Sequence, residues 1–195
     1  MSVSPVIALL ASQLDRDTAR QVIELEQKHD WPAMLGLARI QLQRDPRGAN
    51  WWFLQGYALG RQGQHAEASV SFERAVSLSP EDEMSWLALG QSLSELGQTE
   101  RVIQTYRQAL RYRPESAATY LALAEVYQKQ GRQDLAIPNF RECVRYAPDS
   151  AQGWYGLALA YQLTRQGGRR DEALQSLRKL EPATAGQFEK QYPSK

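Results

Sequence analysis

Residues 49–82 read ANWWFLQGYALGRQGQHAEASVSFERAVSLSPED. The pattern recurs without a gap. Trp52, Trp86, Tyr120 and Trp154 are each 34 positions apart, and so are Gly56, Gly90, Ala124 and Ala158. Gly63, Gly97 and Gly131 follow at the same interval, then Ala68, Val102 and Ala136, then Phe72, Tyr106 and Phe140, then Ala75, Ala109 and Cys143. Pro80, Pro114 and Pro148 close the units. A fixed period held this strictly marks a repeat array and not one large unpatterned core.

Within one unit, Trp86, Leu89, Gly90 and Leu93 are spaced 3, 1 and 3, which puts them on one face of an α-helix. A second such face runs through Val102, Tyr106, Ala109 and Leu110. Between them Gly97 supplies the positive φ that ends the first helix. Each unit is therefore a helical hairpin, with Gly90 and Val102 where its helices cross and Trp86 and Tyr106 filling the wider gaps. A lone hairpin leaves apolar surface uncovered, and stacked neighbours cover it.

The aromatic, the small residue four later, the turn Gly, the A…F..A run and the closing Pro together resemble the tetratricopeptide repeat. The resemblance covers nearly the whole chain. It implies an all-α, right-handed α-solenoid of about five helical hairpins.

The same register divides the rest of the chain. Residues 1–14 are expected to be an N-terminal half-repeat or capping helix, with Ser4 as N-cap, Pro5 at the first helical position and Ile7 in the slot of Ala75. This apolar run is short and has no Lys or Arg before it, so neither a secretory signal nor a membrane span is expected. Residues 15–48 form a divergent first unit. There His29 replaces the turn Gly, Asp30 caps the second helix, and Leu25, Met34, Ala38 and Leu42 take core slots. Residues 49–82, 83–116 and 117–150 are the regular units, with Pro138 predicted to bend or loosen a helix start. In residues 151–182 the run QGGRR reads as three extra residues before Ala173 and Leu177, a lengthened turn. Residues 183–195 predict a last short helix to Gln191 and a fraying tail, Pro193, Ser194 and Lys195.

With 43% hydrophobic and 23% charged residues, the composition is that of a folded protein and not of a disordered tail. The net charge of +1 argues for neither nucleic acid nor a membrane surface. Its distribution is uneven, since residues 1–100 carry net −5 and residues 101–195 net +6. Two readings follow: solvated outer faces of drifting composition, or a basic site toward the C-terminal end. The single cysteine, Cys143, excludes an intramolecular disulfide and sits in the slot of Ala75 and Ala109, where a small core residue belongs. A chain without disulfides suits the cytosol and does not exclude a periplasm.

Chemistry-bearing patterns are scarce. His29 and His65 fall at hairpin turns, and no HExxH, CxxC, P-loop or strand-linked GxGxxG occurs. No catalytic residue, metal site or cofactor is therefore assigned, and the expectation is a protein that is not an enzyme. Arg101, Arg107, Arg111, Arg113, Arg132, Arg141 and Arg145 raise nucleic-acid binding. They are mixed with Glu100, Glu115 and Glu142, however, and the aromatics that would stack on bases are mainly committed to the core pattern.

In the tetratricopeptide family the first helices line a concave groove. Carried over by register, the resemblance assigns to it Asn50, Phe53 and Tyr57, then Met84, Leu87 and Gln91. Leu121, Glu125 and Gln128 follow, and then Gln152, Tyr155 and Leu159. Phe53, Leu87, Leu121 and Tyr155 make one apolar line flanked by polar residues. They either anchor a guest or pack between adjacent first helices. Family members that clamp chaperone tails use Lys, Asn and Arg at such positions. Here Phe53, Tyr57, Leu87, Ala88, Leu121 and Ala122 stand instead, so that clamp is absent. The expected function is a scaffold or adaptor that binds a protein or peptide partner. The alternatives are an architectural, self-associating subunit and, behind it, a nucleic-acid binder through the C-terminal arginines.

Overall fold

The structure, a computed structural model, describes residues 3–193; Ser194 and Lys195, in the tail expected to fray, lie outside the described residues. Twelve α-helices and no strand occur among the described residues. Two compact units divide the chain, Met1–Thr105 and Tyr106–Lys195. The first holds α1 (Pro5–Ala11), α2 (Arg16–Lys28), α3 (Trp31–Arg44), α4 (Ala49–Arg61), α5 (His65–Leu78) and α6 (Glu83–Glu95). The second holds α8 (Ala117–Lys129), α9 (Gln133–Tyr146), α10 (Ala151–Leu163), α11 (Gly167–Leu180) and α12 (Pro182–Gln191), while α7 (Thr99–Tyr112) contains the boundary. In the first unit α3 packs on α4, α4 on α5 and α5 on α6; in the second, α8 packs on α9, α9 on α10 and α10 on α11. Hairpins thus stack in chain order within each unit, which is the all-α repeat fold that the period demands.

Every hairpin turns through one left-handed residue. Gly63, Gly97 and Gly131 have φ of 77°, 69° and 72°, and His29 and Arg165 occupy the corresponding places with φ of 53° and 57°. A side chain in that conformation costs about 1 kcal/mol, so the two outer turns are strained and the three inner ones are not. Side-chain caps start many of the helices: Ser4, Asp15, Asp30, Asp82, Ser116 and Ser150 each accept a backbone N–H of the first turn.

The repeating aromatics do more than fill space. The indole Nε1 of Trp52 donates to Pro46 O at 2.9 Å, that of Trp86 to Pro80 O at 2.7 Å and that of Trp154 to Pro148 O at 2.8 Å. Each tryptophan therefore fastens its own helix to the proline turn that precedes it. Tyr120, in the fourth of these slots, stacks on Tyr146 with ring centres 5.9 Å apart. Gly56 opens the crossing of α4 and α5, where a Cβ would lie 2.8 Å from the Phe72 ring. The slots of Ala68, Phe72 and Ala75 are all buried, as are those of Ala136, Phe140 and Cys143.

The fifth unit departs from the sequence expectation. No residue is inserted in its turn. α10 and α11 begin 34 residues after α8 and α9, and Arg165 and Gln166 stand where Gly131 and Arg132 stand in the unit before. The slots of Ala136, Phe140 and Cys143 are taken by Arg170, Leu174 and Leu177; Ala173 is buried as well, but in the place of Asn139. Arg165 absorbs the left-handed turn. Arg170, 7% exposed, lays its stem in the alanine slot while its guanidinium donates to Gln162 Oε1 at 2.8 Å and to Asp171 Oδ1 at 2.7 Å. α9 runs unbroken through Pro138, which is exposed, and the Asn139 side chain donates to Leu135 O at 2.8 Å.

Both ends are covered by helices. α1 packs on α2 and buries Ile7, Leu10 and Ala11; α12 packs on α11 and buries Ala185 and Phe188. Phe188 lies 34 residues after Trp154, so α12 carries the unit aromatic of a further first helix.

The turns and the tryptophan bonds can each be checked by urea unfolding. Gly97→Ala is expected to lower the midpoint by the equivalent of about 1 kcal/mol, whereas Arg165→Gly leaves it unchanged or raises it; a loss in the latter would contradict the strained outer turn. Trp154→Phe, which keeps an aromatic ring and removes the donor, costs about 1 kcal/mol in the same measurement.

Candidate functional site

The two units treat the predicted groove line differently. In Met1–Thr105, Phe53 is only 3% exposed. Its ring stacks on Tyr57 with centres 6.4 Å apart and tilts against Phe72 at 5.5 Å. Phe53 is thus a core residue and not a groove wall, because Phe72 of α5 reaches far enough to claim it. Tyr57 is also engaged within the unit. Its hydroxyl donates to Glu26 Oε1 at 2.9 Å and lies 3.4 Å from Ser4 Oγ, and its ring meets Trp31 edge-on at 6.1 Å. Burial pushes the Tyr57 hydroxyl above its ordinary pKa; the Ser4 hydrogen bond opposes this and the Glu26 carboxylate adds to it. Glu26 itself is 7% exposed, with Oε2 unpartnered.

The other predicted residues of this unit are scattered. Asn50 lines a separate cleft of about 490 Å³ with Asp15, Asp45 and Ser79. Met84 and Leu87 are half-buried, and Gln91 is exposed with its amide donating to Glu95 Oε1 at 2.6 Å.

In Tyr106–Lys195, four predicted residues converge. Glu125 and Gln128 from α8 and Gln152 and Tyr155 from α10 line one open cleft of about 540 Å³. Leu121 and Leu159 are half-buried and do not line it. Its remaining walls are Lys129, Phe140, Ala151 and Gly156, with Glu181 and Thr184 from the start of α12. Phe140 and Gly156 make the floor, and a Cβ on Gly156 would overlap the Phe140 ring. Gln128 Nε2 donates to Gly156 O at 3.2 Å, tying α8 to α10, and the Tyr155 ring meets Phe188 of α12 edge-on at 5.5 Å.

The side chains of Glu125, Lys129 and Gln152 form no hydrogen bond or ion pair among the described residues. The Glu125 charge is felt nearby all the same. Burial, with Glu125 adding to it, pushes the Tyr106 hydroxyl up to about 12. Burial also raises the Cys143 thiol, with a Ser150 hydrogen bond opposing and Glu125 adding, so this cysteine stays a protonated core residue.

Of the residues missed from sequence, Lys129 follows Glu125 by one helical turn and carried that signal. Glu181 and Thr184 carried none, because the register of α12 is set by packing. His29 is exposed and His65 half-exposed, and no group of three metal-ligating side chains is found among the described residues. The cleft combines an apolar floor with polar side chains on its rim that are unpaired among the described residues.

Sequence profiles of the repeat match three stretches, a "TPR repeat" over residues 90–131 and a "Tetratricopeptide repeat" over both 121–188 and 49–82. The chain is a tetratricopeptide-repeat protein. Among solved structures, the repeat chain is similar to MamA at 21% identity and a TM-score of 0.68, with 87% of this chain and 96% of that one covered. It is also similar to YrrB, described as "a TPR protein with an unusual peptide-binding site", at 18% identity and a TM-score of 0.67 over 86% of this chain and 87% of that one. A MamA fragment from Desulfovibrio magneticus RS-1 matches at 14% identity and a TM-score of 0.66 over 99% of this chain and 100% of that one. These likenesses show the fold. No curated protein sequence matches. Tetratricopeptide repeats are in general protein-interaction modules, and among the described residues no helix is long and apolar enough to cross a membrane.

Because the Phe140 ring occupies the place of a side chain at position 156, Gly156→Ala is expected to cost about 1–3 kcal/mol by overpacking. Gly186→Ala, in open space, serves as control. Equal melting temperatures for the two variants would refute the tight floor.

Proposed function

We propose that this tetratricopeptide-repeat protein is a non-catalytic scaffold that holds a peptide or helix of a partner in the cleft between α8, α10 and the start of α12. The observation that carries the reading is the gathering of Glu125, Gln128, Gln152 and Tyr155 around one open apolar floor, with the Glu125 and Gln152 side chains unpaired among the described residues. Its volume of about 540 Å³ suits one or two side chains of a guest. A peptide-binding site described for YrrB, on the same fold, adds a precedent. The groove line of Met1–Thr105 is left out because Phe53, Tyr57 and Glu26 are engaged within that unit.

Self-association is a second reading, favoured by one observation. Residues 1–105 carry 9 Lys/Arg and 13 Asp/Glu, net −4, against 14 and 9 in residues 106–195, net +5. Opposite charges of this kind favour head-to-tail contact at low salt. Light scattering across a salt series separates the two readings, since peptide binding requires no change of mass.

Dodecapeptides selected from a displayed random library are expected to bind the whole chain. Gln152→Trp, which fills the mouth of the cleft, is expected to weaken the selected peptides about tenfold or more in a titration. Val70→Ser, at an exposed site on α5, should leave them unchanged. A library that yields no enriched sequence, or binders indifferent to Gln152→Trp, would sink the proposal.

A further inference from the structure

The charges around the cleft run against those of the unit that contains it. Tyr106–Lys195 is net positive, and Arg141, Arg145 and Arg169, with Glu142 and Glu172 among them, line a cleft beside Trp154 on the side formed by α9, α10 and α11. Two of the three charged side chains on the α8–α10–α12 cleft are carboxylates, Glu125 and Glu181, both exposed. They stand 56 positions apart in sequence and are brought to one rim by the docking of α12 on α11.

Glu181 is oriented by the Thr184 hydroxyl, which donates to its Oε2 at 2.7 Å. Glu125 has no cation within ion-pair distance among the described residues, although Lys129 lies one helical turn away on the same helix. Its charge adds to the upward shifts that burial causes at Tyr106 and Cys143. The same cleft is lined by Tyr155, Phe140 and Gly156.

Resting on the peptide-binding reading above, we infer that this cleft selects a partner segment in which a Lys or Arg side chain stands next to an apolar anchor. The anchor covers the Phe140–Gly156 floor. The cation lies toward Glu125 and Glu181 with the Tyr155 ring beside it, gaining ion-pair and cation–π attraction that a neutral or acidic side chain does not. Lys129 and the Gln152 amide remain for the segment's carbonyls. This is the opposite preference to what the net charge of the unit would attract.

The experiment starts from the same displayed dodecapeptide library and the whole chain. Enriched sequences are expected to carry Lys or Arg adjacent to Leu, Ile, Met or Phe. In a synthetic copy of one such peptide, replacing the cation by Glu is expected to weaken binding about tenfold. Glu125→Gln combined with Glu181→Gln is expected to lose a similar factor for the original peptide and to be nearly indifferent to the replacement. Both positions are exposed, and an unchanged circular-dichroism melt confirms that the fold is retained. Enrichment of acidic peptides, or of apolar ones without charge preference that still respond to Gln152→Trp, overturns this inference and leaves peptide binding standing. Absence of any enrichment overturns both.

Discussion

A hairpin of two helices has apolar side chains on both flanks and can hide only those that face each other. The remaining surface has to be covered by the hairpin before and the hairpin after, and that is possible only if each unit meets its neighbour in the same way. Each buried large side chain contributes about 1.5–3 kcal/mol, so a slip of one position along the stack would forfeit several such terms at once. The constant spacing of helix starts is the trace of this requirement. It explains why the fifth unit keeps its length even though its local sequence invites a longer turn. Leaving Arg165 strained and burying the stem of Arg170 costs less than losing register for Leu174 and Leu177.

Covering the flanks also explains the ends. α1 and α12 each bring a few apolar side chains, Ile7 and Leu10 on one side and Ala185 and Phe188 on the other, to surfaces that would otherwise meet water. The two covers differ in what they do to the adjoining groove line. At the N-terminal end Ser4 reaches Tyr57, which is already held by Glu26 through Oε1, so these polar groups are engaged within the unit. At the C-terminal end α12 contributes Glu181 and Thr184 to a rim that stays open. Closure in one unit and openness in the other set the two groove lines apart, and the proposed guest site and its preference for a cation rest on that difference.

The stack itself was legible from spacing. Trp52, Trp86 and Trp154, the turn glycines and the A…F..A slots determined an all-α repeat of hairpins, because a helix has one period and a hairpin one crossing, and both leave their mark on the residue pattern. The site was legible only in part. Register named Glu125, Gln128, Gln152 and Tyr155, since residues offset from the core face of a helix must point elsewhere. It could not say that Phe53, in the equivalent position to Tyr155, would be drawn inward by Phe72, nor that the tryptophans would donate to proline carbonyls six residues back. Those outcomes depend on how far side chains from different helices reach. The lengthened turn was misread for a related reason: hydrophobicity placed Ala173 in the slot of Ala136, while the hydrogen bonds that let Arg170 take that slot come from Gln162 across the hairpin and from Asp171. What spacing along the chain determined is which elements exist and in what order. Which wall stays open, and which charges share its rim, was decided only when α12 docked beside α10, because no local pattern encodes that residues 125 and 181 line one cleft.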